Sequence, residues 1–80
     1  MILQTILQKG WIMSELIFLV ENAEEGGFVA RALGEPIFTQ AEDLEDLRLQ
    51  IRDAVLCHFD DDTRPRLVRL HFAHDEVMAV

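Results

Sequence analysis

DLEDLRLQIRDAVLCHF, residues 43–59, is the stretch whose reading decides the fold. Its apolar residues Leu44, Leu47, Ile51, Ala54, Val55 and Phe59 recur at steps of three and four. That spacing lines one face of an α-helix and turns the charged residues outward. Asp43 stands where a side-chain oxygen caps the first free backbone N–H groups, with Asp46 at the position a capping box uses. Glu45 and Asp46 oppose the positive end of the helix dipole. Asp60-Asp61-Asp62 followed by Arg64-Pro65 stops the helix.

A helix with one apolar stripe must bury it, and the flanking segments offer a sheet. Leu16–Glu21 is rich in β-forming residues and ends in the polar loop Asn22-Ala23-Glu24-Glu25-Gly26-Gly27. The paired glycines permit the positive φ values that reverse the chain, so Phe28–Leu33 returns as the second arm of a hairpin. Gly34-Glu35-Pro36 makes a second tight connection into a short strand, Ile37–Thr39. Beyond the helix, Arg66–Phe72 reads as the last strand, and Ala73–Val80 as its extension or a short final segment. The predicted fold is α+β: a two-layer β-β-β-α-β domain, its sheet largely antiparallel and packed by one helix.

Eighty residues suffice for one domain. Met13-Ser14-Glu15 reads like a fresh start, so residues 1–12 are expected to be a poorly ordered extension and residues 13–80 the domain. Half the residues are hydrophobic, a rich load for a body that buries only about 60% of its unfolded surface. Seven basic residues against fifteen acidic ones give a net charge of −8, which suits a basic protein partner and argues against direct binding of nucleic acid. The same acidity also keeps a small domain soluble. Cys57 is the single cysteine, so an internal disulfide is excluded and a reducing cytoplasm fits. The apolar runs are too short to span a bilayer.

Side chains along a strand alternate between faces, so Leu16, Phe18 and Val20 point one way and Ile17 and Leu19 the other. Only one sheet face meets the helix. Ile17 and Leu19, with Val29 and Leu33 from the returning strand, need other cover. Leu49 and Leu56 lie off the main helical stripe, seven residues apart. A homodimer or higher oligomer would cover Ile17, Leu19, Val29, Leu49 and Leu56; a fold of residues 1–12 over the sheet, or ordinary scattered surface apolars, is the alternative.

The order of these segments is similar to that of the HicB-like antitoxin family. The resemblance rests on the acidic loop ending in Gly26-Gly27, Phe28-Val29-Ala30-Arg31-Ala32, the run Ala30–Glu35 with Ile37–Thr39, and Asp43-Leu44-Glu45-Asp46-Leu47 opening the helix. Arg52-Asp53-Ala54-Val55, Cys57-His58-Phe59-Asp60 and Arg69-Leu70-His71-Phe72 continue it, so that it covers residues 13–80. What it implies is a β-β-β-α-β domain that often oligomerises and, in full-length antitoxins, neutralises a small basic RNA-cleaving toxin. Those antitoxins also carry a C-terminal DNA-binding segment. This chain runs only a few residues past the last strand, too few for one, and so resembles the small stand-alone members.

The residues with chemical potential carry bland readings. Adjacent on a helix, Cys57 and His58 diverge by about 100° and form no nucleophile–base pair. Cys57 is expected to be an inert buried or interfacial thiol. His58, His71 and His74 lack metal-ligand spacing, and His71 and His74 would face opposite sides if the strand ran through both. Asp60-Asp61-Asp62 lacks the glycine and closing glutamate of a calcium loop, and Arg64 or Arg66 is expected to neutralise it. Gly26-Gly27 belongs to no phosphate-binding pattern. Arg31 and Arg69 could hold an acidic ligand or pair with local carboxylates. The sequence therefore predicts no catalytic, cofactor or metal site. It predicts a binding module for a small basic, toxin-like protein, or else a structural homo-oligomer.

Overall fold

A computed structural model describes residues 15–80. Strands β1 (Glu15–Asn22), β2 (Phe28–Ala32) and β3 (Phe38–Ala41) precede helix α1 (Leu44–His58), and β4 (Leu67–Phe72) follows it. The predicted two-layer β-β-β-α-β order is the observed one, and the expectation for residues 1–12 lies outside the described residues. The sheet order is β3-β2-β1-β4. β1 pairs antiparallel with β2, and β2 with β3, while β4 runs parallel to β1.

Register places Phe18 opposite both Ala32 and Leu70, and Val20 opposite both Ala30 and Phe72. The face toward the helix thus carries Leu16, Phe18 and Val20 on β1, Ala30 and Ala32 on β2, and Val68, Leu70 and Phe72 on β4. Leu47, Ile51 and Val55 of α1 close over it, each at most 5% exposed, and Ile37 completes the core. Burying each large member contributes about 1.5–3 kcal/mol, so this one cluster supplies most of the domain's cohesion.

Side-chain size decides where the helix sits. Its backbone approaches β2 and β3, where Ala30, Ala32 and Ala41 let it come close, and not β4. The cap at its start is as the sequence predicts, with the Asp46 N–H donating to Asp43 Oδ1 at 2.8 Å. At its end the backbone of Phe59 turns extended while its N–H still donates to the Val55 carbonyl.

Strand ends shift by a residue or two from expectation. The third strand begins at Phe38 instead of Ile37, because Ile37 leaves the ladder to fill the core while its carbonyl accepts from Ala32 N–H. Gly27 is indispensable at the first turn: its φ is +81°, and a Cβ there would lie 2.5 Å from the Ala41 carbonyl oxygen. The hairpin loop therefore packs directly on the corner between β3 and α1.

Candidate functional site

The sheet order makes β4 an edge strand of the described sheet, and because α1 sits over β2 and β3, the side chains of β4 are exposed on both faces. Leu67 is 65% exposed on the outer face, and Val68 and Phe72 are 38% and 48% exposed on the helix face. Between α1 and β4 lies a groove of about 700 Å³. Leu49 and Leu56 wall it from the helix, Val68 and Leu70 from the strand. Arg48, Arg52, Arg64 and Arg66 line it too, and among the described residues no carboxylate does. Four of the six arginines of a chain with net charge −8 are thus gathered in one place.

The arginines converge for simple reasons. Arg48 and Arg52 are one helical turn apart, on the side of α1 that carries Leu49 and Leu56. Arg64 and Arg66 flank the buried Pro65 in the connection entering β4. Arg64 donates from Nη2 to Asp61 at 2.9 Å, the predicted local neutralisation of the acidic helix stop. Its shielded Nε has no acceptor among the described residues.

A second hollow, about 380 Å³, opens where the hairpin loop meets the start of α1. Glu25, Glu42 and Asp46 edge it, over Phe28 and Ala41. With Glu24 and Glu45 exposed nearby in sequence, this end of the domain is strongly acidic.

The five apolar residues expected at a partner or oligomer interface fall, as the sequence separates them, on two surfaces. Ile17, Leu19 and Val29 share the outer sheet face, each half-buried, whereas Leu49 and Leu56 belong to the groove on the other side. They therefore cannot meet a single flat partner face. Sequence reasoning missed the groove itself, its arginines and the exposed apolar residues after β4. Arg48 and Arg52 at helical spacing beside Leu49 and Leu56 were the available signal.

Cys57 is exposed and points away from the Leu47–Ile51–Val55 stripe, so of the buried or interfacial thiol expected, burial within its own copy is ruled out. His58 Nε2 lies 3.1 Å from Glu35 Oε1, and its ring meets Phe59 edge-on. β4 stops at Phe72, so His71 lies on the strand's outer face and His74 beyond it. Arg69 Nε donates to Glu15 across the β1–β4 pair, and that bond with its attached charge raises the guanidinium pKa above its ordinary value. Of the two arginines considered for an acidic ligand, Arg69 is thus engaged locally. Among the described residues, no group of three His, Cys, Asp or Glu side chains could hold a metal ion, and no helix is long and apolar enough to cross a membrane.

A UPF0150 protein of Archaeoglobus fulgidus is 49% identical over 59 residues, covering 74% of this chain and 88% of the relative. The chain belongs to the UPF0150 family. A UPF0150 protein of Thermotoga maritima is 38% identical over 66 residues, covering 82% of the chain and 93% of that relative. No family model and no solved structure matches.

Proposed function

We propose that this chain is a HicB-like, non-catalytic protein-binding module that acts in the cytoplasm in an antitoxin-like or related regulatory role. The observation that carries the reading is the acidic hollow between the hairpin loop and the start of α1, edged by Glu25, Glu42 and Asp46. At the other side of the domain β4, an edge of the described sheet with Leu67, Val68 and Phe72 exposed on both of its faces, is a template for a second copy of the chain. The partner's sign follows from the net charge of −8 and from the hollow edged by Glu25, Glu42 and Asp46, a socket for Lys or Arg over an aromatic floor. The module engages a small basic protein there, and opposite fields speed the encounter.

The test is to purify the chain from its native cell and then to mix it with the small basic protein that co-purifies. A stoichiometric complex that weakens with salt, and weakens further in Glu25→Lys, is expected. A chain that emerges only with copies of itself overturns the basic-partner reading and leaves a structural homo-oligomer, the second reading. The two-sided apolar exposure of β4 favours that second reading as well.

A further inference from the structure

The groove between α1 and β4 does not fit the partner just described, because four arginines repel a basic protein. Its occupant must be acidic and apolar together. The chain supplies such a segment immediately after β4. Residues 73–80, AHDEVMAV, form neither helix nor strand, and they carry Asp75 and Glu76 beside Val77, Met78 and Val80. Val77 is 92% exposed and Met78 71%, so these apolar side chains are unburied within their own copy. The geometry points to a second copy of this chain as the occupant: two β4 edges pair, and each copy's segment 73–80 lies in the other's arginine-lined groove.

Register supports the exchange. Two β4 strands related by a two-fold axis normal to the sheet run antiparallel and keep their helix faces on one side. Helix-face residues must then oppose helix-face residues. Pairing Leu70 with Leu70 sets Val68 against Phe72 twice, so all three apolar pairs match. Sliding by two residues one way sets Arg69 against Arg69; sliding the other way sets Val68 against His74, beyond the strand. In the matched register Ala73 arrives beside Leu67 of the second copy, next to that copy's Arg66 and Arg64.

Within its own copy, the Ala73 N–H is held by the Val20 carbonyl at 2.9 Å, so the segment leaves from a fixed point. Eight extended residues reach about 26 Å, and the helix between Leu49 and Leu56 is only about 10 Å long. Asp75 and Glu76 therefore reach the arginines, and Val77 and Met78 reach Leu49 and Leu56. Strand, segment and groove together engage about twenty residues per copy, the size of a stable interface.

This inference rests on the reading of β4 as a pairing edge, and its test is separate from that of the basic partner. Sedimentation equilibrium of the full chain at about 100 μM should give a dimer. Asp75→Lys with Glu76→Lys, and separately Arg52→Glu with Arg66→Glu, should each weaken the dimer at least about tenfold. Combining all four changes should restore it to within about threefold. Circular dichroism and melting check that each variant folds. Should a groove variant fail to fold, Val77→Asp decides, since it lies in the exposed segment and should also weaken the dimer. A monomeric unmutated chain overturns the inference, and so does a dimer indifferent to the charge reversals and to Val77→Asp. Basic-partner binding is read independently through Glu25→Lys, which should leave the dimer unchanged.

Discussion

Gly27→Ala tests the arrangement that builds the acidic end, and Gly26→Ala is its internal control. Both glycines have positive φ, +103° at Gly26 and +81° at Gly27. An alanine at either carries the left-handed penalty, about 1–2 kcal/mol. Only at Gly27 does the new Cβ meet other atoms: the Ala41 carbonyl oxygen at 2.5 Å and Glu42 Cα at 3.2 Å. Both belong to backbone, so relief requires the hairpin loop to lift off the β3–α1 corner. Overpacking of that kind adds about 1–3 kcal/mol. Gly26→Ala should therefore cost about 1–2 kcal/mol and Gly27→Ala about 2–5. Urea unfolding at one fixed protein concentration reads the difference. With a slope near 1 kcal/mol/M, the midpoints should separate by about 1–3 M. Lifting the loop also displaces Glu25 from Glu42 and Asp46, so Gly27→Ala should weaken basic-partner binding more than Gly26→Ala does. Equal losses of stability in the two variants would refute the packing of loop on corner.

Phe18→Ala and Ile51→Ala remove side chains 0% and 3% exposed at the helix–sheet contact, and each should lower unfolding free energy by about 2–5 kcal/mol in urea titrations. A loss under about 1 kcal/mol at either would mean that the contact is misplaced. Asp43→Ala removes the acceptor for the Asp46 N–H and should cost about 1 kcal/mol, with Asp43→Asn close to neutral. Elemental analysis of the purified protein should find zinc and iron well below one equivalent per chain. One full equivalent, lost in His71→Ala, would contradict the non-catalytic, metal-free proposal. Raising salt from about 50 to 500 mM should weaken the basic-partner complex far more than the self-association, since screening only removes attraction between oppositely charged bodies, while between two copies it weakens the Asp75–Glu76 contact with the arginines and the repulsion of two like net charges together.

Most of the fold was legible because hydrophobic period and turn chemistry agree with it. Leu47, Ile51 and Val55 announce the helix face, Asp43 its start, and Gly26-Gly27 the first reversal. What the sequence does not carry is lateral position. Nothing in DLEDLRLQIRDAVLCHF says that α1 lies over β2 and β3 and leaves β4 beside a groove; that follows from alanines at 30, 32 and 41, whose smallness matters only once the register is known. The same gap explains the interface residues. Leu49 and Ile17 are equally conspicuous as apolar residues without a partner, but whether they share a surface depends on which side of the sheet the helix occupies. Arg64 and Arg66 are farther still from sequence logic, since they lie 12 or more residues from Arg48 and Arg52 and meet them only through the turn at Pro65.

Segregation of charge is the feature that makes two binding surfaces compatible on so small a body. Two chains of net charge −8 repel at long range, and the repulsion fades over a Debye length of about 8 Å at physiological salt. Within that distance the local pattern decides. A groove lined by four arginines, of which Arg64 is paired with Asp61, and by no carboxylate among the described residues presents the opposite sign to an approaching Asp75-Glu76 pair, so the contact that would otherwise be the most repulsive becomes attractive. Placing the acidic residues of the segment in the groove also leaves Glu25, Glu42 and Asp46 uncompensated at the far side of the helix. Self-association through β4 would then concentrate the remaining negative field on the hollows that face a basic partner, so that the dimer strengthens the hetero-contact instead of competing with it.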